Sequence, residues 1–222
     1  MLADTFCKSQ GELARRGFFR GMAGSRRSPS CELGDSRFGL IFSALSGIIA
    51  EAMSILRIRE FPDDVLRRAA EPVQNVDGRL QSLIDDMFET LYAAPGLGLA
   101  APQVGTSLRL FVYDLGIREG EHERKIILNP TIVAQEGEIA EEEGCLSIPD
   151  YREIVTRAAK VFLKGYDQDG REVQLEAQGL EARLFQHELD HLDGVLMFDR
   201  MSPLKRDLFQ RKLKKRLKTA GE

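Results

Sequence analysis

The chain has 222 residues, 43% apolar and 30% charged, with a formal net charge of -4. That length suits one domain with attachments or two small ones, and the apolar share supplies a core. A net negative chain is not built to coat nucleic acid, and no apolar run reaches the roughly 18 residues that span a bilayer, so neither DNA nor a membrane is an expected partner.

Residues 1–52 differ in texture from the rest. Positions 1–31 carry six Lys/Arg against two acidic residues, with scattered Gly and Ser and no sustained period. That pattern reads as disordered or loosely helical. Three explanations compete: an over-long start with the true start at Met53, which is preferred; an Arg-rich organelle transit peptide; and a secretory signal ending in Ala50-Glu51-Ala52. The expected organisation is an extension over 1–52, a main domain over 53–203 and a basic helix over 204–222.

From Met53, MSILRI alternates like a strand, and FPDDVLRRAAEPV carries two prolines that mark a loop or short turn. Leu80, Leu83, Ile84, Met87 and Leu91 then fall on one helical face, with Asp77 as N-cap and Pro95-Gly96 as the stop. LRLFVYDL (108–115) and RKIILNPTIV (124–133) read as strands. Residues 159–179 read as a hairpin turning at Asp169-Gly170, and 180–194 as a helix closed by Gly194. A last helix holds eight Lys/Arg and one Asp between Pro203 and Thr219. Its apolar stripe is Leu204, Leu208, Phe209, Leu213 and Leu217. Strands and helices mix without regular alternation, which predicts an α+β architecture with mostly antiparallel pairing.

Three cysteines, an odd and sparse count, suit a reducing compartment. Cys7 and Cys31 read as free thiols. Cys145 lies in EEEGCLSIPD and could be a packing residue, a nucleophile or a metal ligand. QHELDH places His187 and His191 four apart, so a helix puts both imidazoles on one face, with Glu188 beside the first. The remaining histidine, His122, sits in REGEHERK and reads as a solvated loop. Two histidines under-coordinate an ion, since catalytic sites take three protein ligands and keep an open position. Asp190, Asp193 and Asp199 lie downstream. Cys145 lies upstream and offers a soft thiolate. A nucleophilic cysteine needs a free histidine base, and both histidines of QHELDH are better used on the metal. The run GLGLAA lacks the lysine and βαβ setting of a phosphate loop; its small residues allow a close backbone approach.

Three stretches, GLGLAAPQ (96–103), EGCLS (143–147) and QHELDH (186–191), resemble in order and spacing the peptide deformylase motifs GxGxAAxQ, EGCLS and HExxH. The resemblance extends over roughly residues 53–203, and CLSIPD is most similar to the bacterial branch. It implies removal of the formyl group from the N-terminal formyl-methionine of nascent polypeptides, releasing formate. The expected fold is α+β: mostly antiparallel β-sheets packed around a central metal-binding HExxH helix, with a C-terminal basic helix.

The resemblance also implies roles. Cys145, His187 and His191 hold one metal ion per chain. Fe(II) is implied as the working ion, with Zn(II), Ni(II) or Co(II) able to occupy the same ligands; physical reasoning alone points to zinc. A metal-activated water attacks the formyl carbon, with Glu188 as general base and then acid. The Gln103 amide and the Leu146 N–H donate to the developing oxyanion. Gly98 backbone pairs with the substrate as an added strand. Leu97, Leu180 and Leu184 line the methionine pocket, although Leu180 and Leu184 read equally as core. Glu143 and Arg152 approach the substrate, and Ser147 shapes the turn. The implied partners are N-formylmethionyl nascent peptides and, through the basic helix, the ribosome; the plain alternative for that helix is a solvated surface. A monomer in the bacterial cytoplasm is expected, or an organellar protein if 1–52 is a transit peptide. A zincin-type metalloprotease is the alternative, and it requires a third ligand downstream. A metal-stabilised module without turnover requires a fourth protein ligand, for which there is no clear candidate.

Overall fold

The computed structural model describes residues 54–118 and 120–220, with side chains at 54–117 and 120–213. The readings of 1–52 and of Cys7 and Cys31 lie outside the described residues. Among the described residues, three α-helices, α1 (Gly78–Ala93), α2 (Gly179–Leu192) and α3 (Pro203–Ala220), accompany seven strands. These are β1 (Gly98–Ala100), β2 (Leu110–Tyr113), β3 (Lys125–Glu136), β4 (Ile139–Cys145), β5 (Ile148–Arg157), β6 (Lys160–Tyr166) and β7 (Glu172–Gln178). Five strands form one sheet in the order β1-β2-β3-β6-β7, and β4-β5 form a second. Every pairing between these strands is antiparallel.

The period-2 alternation of β2 and β3 builds two cores on opposite sheet faces. Leu110, Val112, Ile126 and Leu128 pack with Leu80, Ile84, Met87 and Leu91 of α1. Phe111, Tyr113 and Ile127 pack with Ala182, Leu184, Phe185 and Leu192 of α2. The sheet therefore lies between the two helices. A third cluster joins Cys145 and Ile148 to Leu66, Leu196, Met197, Phe198, Met201 and Phe209, which brings the β4-β5 connection against the chain exit.

Local chemistry explains the boundaries. Asp77 Oδ1 accepts from Arg79 N and Leu80 N, each at 3.0 Å, satisfying two donors that a helix start leaves without partners. The β6-β7 hairpin turns where Asp167 Oδ1 accepts from Asp169 N and Arg171 N, each at 2.9 Å. Gly170 there takes a φ of 76°, the left-handed region glycine enters without steric cost.

Several expectations need correction. Residues 54–60 belong to no strand. Their donors go elsewhere: Ser54 N to Asp86 Oδ1 at 2.6 Å, Leu56 N to Thr90 Oγ1 at 2.8 Å and Arg59 N to Gln103 O at 2.7 Å. Side chains and a loop take the place of a neighbouring strand. In α3, Phe209 is buried and Leu213 packs beside it, but Leu204 and Leu208 are exposed; Leu217 lies beyond the described side chains. The α+β class and antiparallel pairing hold. The description of sheets packed around a metal-binding HExxH helix does not, because the metal-capable group is a Cys145/His187/His191 cluster with one member on β4. Among the described residues, no helix is long and apolar enough to cross a membrane.

Replacing Asp77 with Ala removes the α1 cap and should cost about 1 kcal/mol of stability. Chemical denaturation should show a lower midpoint with an unchanged slope; an unchanged midpoint would mean the cap contributes nothing.

Candidate metal centre

Cys145 ends β4. In the β4-β5 ladder Gly144 stands opposite Arg152 while Cys145 stands opposite Ile148. Pro149, Asp150 and Tyr151 are thus extra residues on β5, and Asp150 takes a φ of 60°. Such an irregularity re-aims neighbouring side chains. Here Cys145 and α2 meet: Sγ lies 3.1 Å from His191 Nε2. His187 and His191 stand one helical turn apart, with ring centroids at 5.0 Å. The donor atoms of Cys145, His187 and His191 all lie within 4.8 Å of one another.

The electrostatics suit a cation. Burial alone would raise the Cys145 thiol, but His191 and His187 outweigh it and hold the thiol well below its usual range. His187 Nδ1 faces Glu143 Oε2 at 3.2 Å, which commits that nitrogen and leaves Nε2 for an ion. One thiolate and two imidazoles are a donor set for a borderline-soft first-row divalent metal, and three protein ligands leave a position open.

Glu188 is buried, and its Oε2 has no hydrogen-bond partner among the described residues. Burial raises its pKa against the opposing pull of His187 and His191. Its other oxygen lies against Gly98, where a Cβ would come within 2.6 Å of Oε1. A side chain at position 98 would displace the carboxylate. Gln103 is also buried: its Oε1 accepts from Ala100 N at 2.8 Å, and its Nε2 donates to Ser147 Oγ at 3.2 Å. The two bonds fix which end of the amide faces Cys145, whose Sγ is 3.9 Å from Nε2.

These residues line a cleft of about 910 Å³. Leu97, Gly98, Gln103, Glu143, Cys145, Leu146, Arg152, Leu180, Leu184, His187 and Glu188 all reach it, while His191 is sealed behind them. Leu184 also belongs to the core under α2, whereas Leu180 is half-exposed. Arg152 is exposed at the rim, 3.8 Å from Glu142. Glu143 is buried, and its carboxylate is taken up by His187 and by Arg157, whose Nε and Nη2 reach its two oxygens at 2.9 and 3.0 Å. Burial alone would raise this acid; His187 and Arg157 bring it down to about 2. His122 does not line the cleft; it lies in an exposed loop, as expected, with its Nδ1 3.2 Å from buried Asp114.

The downstream acids are spoken for. Asp190 pairs with Arg157 and Arg200, Asp193 with Arg109, and Asp199 with Arg67. None joins the metal-capable group, so the arrangement that a zincin requires is not formed. Ser147 is fully buried and bonded to Gln103, a contact that its neighbours in sequence do not signal. Asp190 could have been suspected from its position three residues beyond His187, on the same helical face. Arg157, on a strand far from both, carries no such mark.

The sequence model of the polypeptide deformylase family matches residues 55–207. The chain belongs to the peptide deformylase family. It is 53% identical over 168 residues to the peptide deformylase of Syntrophobacter fumaroxidans, covering 76% of this chain and 99% of that one. With the peptide deformylase of Thermodesulfovibrio yellowstonii it shares 51% identity over 162 residues, 73% of this chain and 98% of that one. The crystal structure of a peptide deformylase from Legionella pneumophila superposes with a TM-score of 0.70 at 46% identity, over 76% of this chain and 99% of that one. The Cys145/His187/His191 cluster corrects the helix-centred picture: the metal-capable group lies where β4 meets α2.

Metal content of purified variants tests the cluster. Cys145→Ala should lose the ion, whereas Glu188→Ala should retain one ion per chain by plasma mass spectrometry. Wild-type metal content in Cys145→Ala would contradict the assignment.

Proposed function

We propose that this chain is a metal-dependent hydrolase that removes the formyl group from the N-terminal formyl-methionine of nascent polypeptides. Membership of the peptide deformylase family carries the reading, and the cluster of Cys145, His187 and His191 beside Glu188 and Gln103 supports it. The products are formate and a free amino terminus.

Bound by those three residues, a divalent ion supplies Lewis acidity towards water and the formyl carbonyl. The remaining chemistry falls to the chain. Glu188 takes the proton of the attacking water and passes it to the amino nitrogen as the formyl C–N bond breaks. Its burial and raised pKa suit a group that must both accept and return a proton. The Gln103 Nε2 amide and the Leu146 backbone N–H donate to the formyl oxygen as charge develops there. Gln103 is held for that task by Ala100 and Ser147. β1 is an edge strand, so a substrate peptide can pair beside Gly98 as an added strand. Leu97, Leu180 and Leu184 offer apolar lining to the methionine side chain. Arg152 meets the substrate at the rim. Glu143 orients His187 in this reading, since its oxygens are already taken.

Fe(II) is the proposed working ion, and Zn(II), Ni(II) and Co(II) match the same soft and borderline donors. The catalytic domain is proposed to span 53–203 and to act as a cytoplasmic monomer. The basic α3 is proposed to dock on the ribosome, where formylated chains emerge, through long-range attraction to anionic RNA.

Three experiments test these readings. Anaerobically prepared, Fe(II)-replete protein should release formate from a formyl-Met tripeptide, and no formate from a fully loaded sample would sink the assignment. Gly98→Ala should keep its iron but lose on the order of 100-fold in kcat, because general acid–base catalysis is typically of that size; undiminished kcat would remove Gly98 from the support of Glu188. For α3, the full chain should pellet with ribosomes at low salt and a 1–203 truncation should not. Equal pelleting would end the docking proposal.

A further inference from the structure

Glu143 is one end of a line of charges running away from the metal site. His187 Nδ1 meets Glu143 Oε2 at 3.2 Å, and Arg157 grips both Glu143 oxygens at 2.9 and 3.0 Å. Arg157 Nη1 then donates to Asp190 Oδ2 at 2.6 Å, and Arg200 Nε reaches the same oxygen at 3.1 Å. The Arg157, Glu143 and Asp190 side chains are 3%, 7% and 8% exposed, whereas Arg200 is 50% exposed. The line therefore starts at a metal-capable imidazole and ends at solvent, on a second cavity of about 620 Å³ that Arg157, Asp190 and Arg200 help to line.

The geometry is directional. Arg157 stands opposite Ile139 in the β4-β5 ladder, while Glu143 stands opposite Glu153. Both residues face the same side of the ladder, and the long Arg157 side chain runs back along it to reach the carboxylate. A carboxylate behind a metal-binding histidine sets the ring's tautomer and orientation. Arg183 Nε also faces Glu143 Oε1, but at 3.6 Å it makes no hydrogen bond, and a carboxylate accepting from one imidazole alone can still rotate about its own axis. A planar guanidinium bonded to both oxygens removes that freedom, which an ammonium cannot do. Asp190, on α2 with His187, fixes the guanidinium from its far side.

We propose that Arg157 is a positioning residue for the metal: it locks the plane of the Glu143 carboxylate and thereby holds His187 Nε2 towards the ion. Asp190 and Arg200 keep Arg157 in place. The proposal rests on the Cys145/His187/His191 ion site.

The test is the rate at which the zinc-loaded full chain gives its ion to a chromophoric chelator. Arg157→Lys and Glu143→Gln should each speed release by about 10–100-fold, the usual cost of losing such support. Because Arg157 acts through Glu143, the double variant should release no faster than the faster single one. Release from Arg157→Lys at the wild-type rate would overturn the proposal, as would a double variant whose acceleration is the product of the singles, the result of two independent structural defects. If Arg157→Lys does not fold, Arg200→Gln at the exposed end decides: faster release that disappears in a Glu143→Gln background supports the line, and wild-type release overturns it. A wild-type chain that binds no zinc would overturn the ion site itself and this proposal with it, a result distinct from zinc bound but released at unaltered rates.

Discussion

A cysteine sulfur on one strand must meet an imidazole nitrogen 46 residues later on a helix at 3.1 Å, and the rest of the structure serves that convergence. No single element can hold the three donors. α2 supplies two because its turn spaces His187 and His191, but the third needs the end of β4 at a fixed height against the helix. α2 is set by Ala182, Phe185 and Leu192 on the five-stranded sheet. The end of β4 is set by the apolar cluster of Leu66, Leu196, Phe198 and Phe209 around Cys145 and Ile148. Between them lie the buried pairs of Arg157 with Glu143 and Asp190. Such pairs add little net stability, yet losing one partner typically costs about 3–5 kcal/mol, so they act as locks on geometry.

The cleft follows from the same arrangement. Gln103, in the short 3-10 helix after β1, and Leu146, in the turn after β4, flank the sulfur, and the segment before Phe61 ties the two together. Arg59 N donates to Gln103 O at 2.7 Å, and Phe61 N donates to Ser147 O at 2.9 Å. Gly98 leaves room for Glu188, and β1 leaves a sheet edge beside them. Gly98, Glu188, Gln103 and Leu146 are thereby brought around one cleft by short-range contacts.

Much of this was legible from the residues. α1 announced itself by its apolar spacing and Asp77, and the β6-β7 hairpin by Asp169-Gly170. β2 and β3 showed their apolar runs. β1 was hidden because three residues, Gly98–Ala100, are too few for a period. β4 and β5 were hidden because their outer face is solvated: Glu142, Arg152 and Ile154 are exposed, and Pro149 and Asp150 interrupt the alternation. MSILRI misled in the opposite sense, since an alternating segment can find its partners in Asp86, Thr90 and a loop carbonyl. The motifs exposed the site residues that touch the cleft. Ser147, Arg157 and Arg200 act through other side chains, and contacts between distant segments leave no spacing to read.

The central claim is that one ion is held by one thiolate and two imidazoles from β4 and α2. X-ray absorption at the zinc edge of the zinc-loaded chain tests it most directly. The account predicts one sulfur scatterer at about 2.3 Å with two imidazole nitrogens at about 2.0–2.1 Å. A shell of nitrogen and oxygen with no sulfur would contradict it.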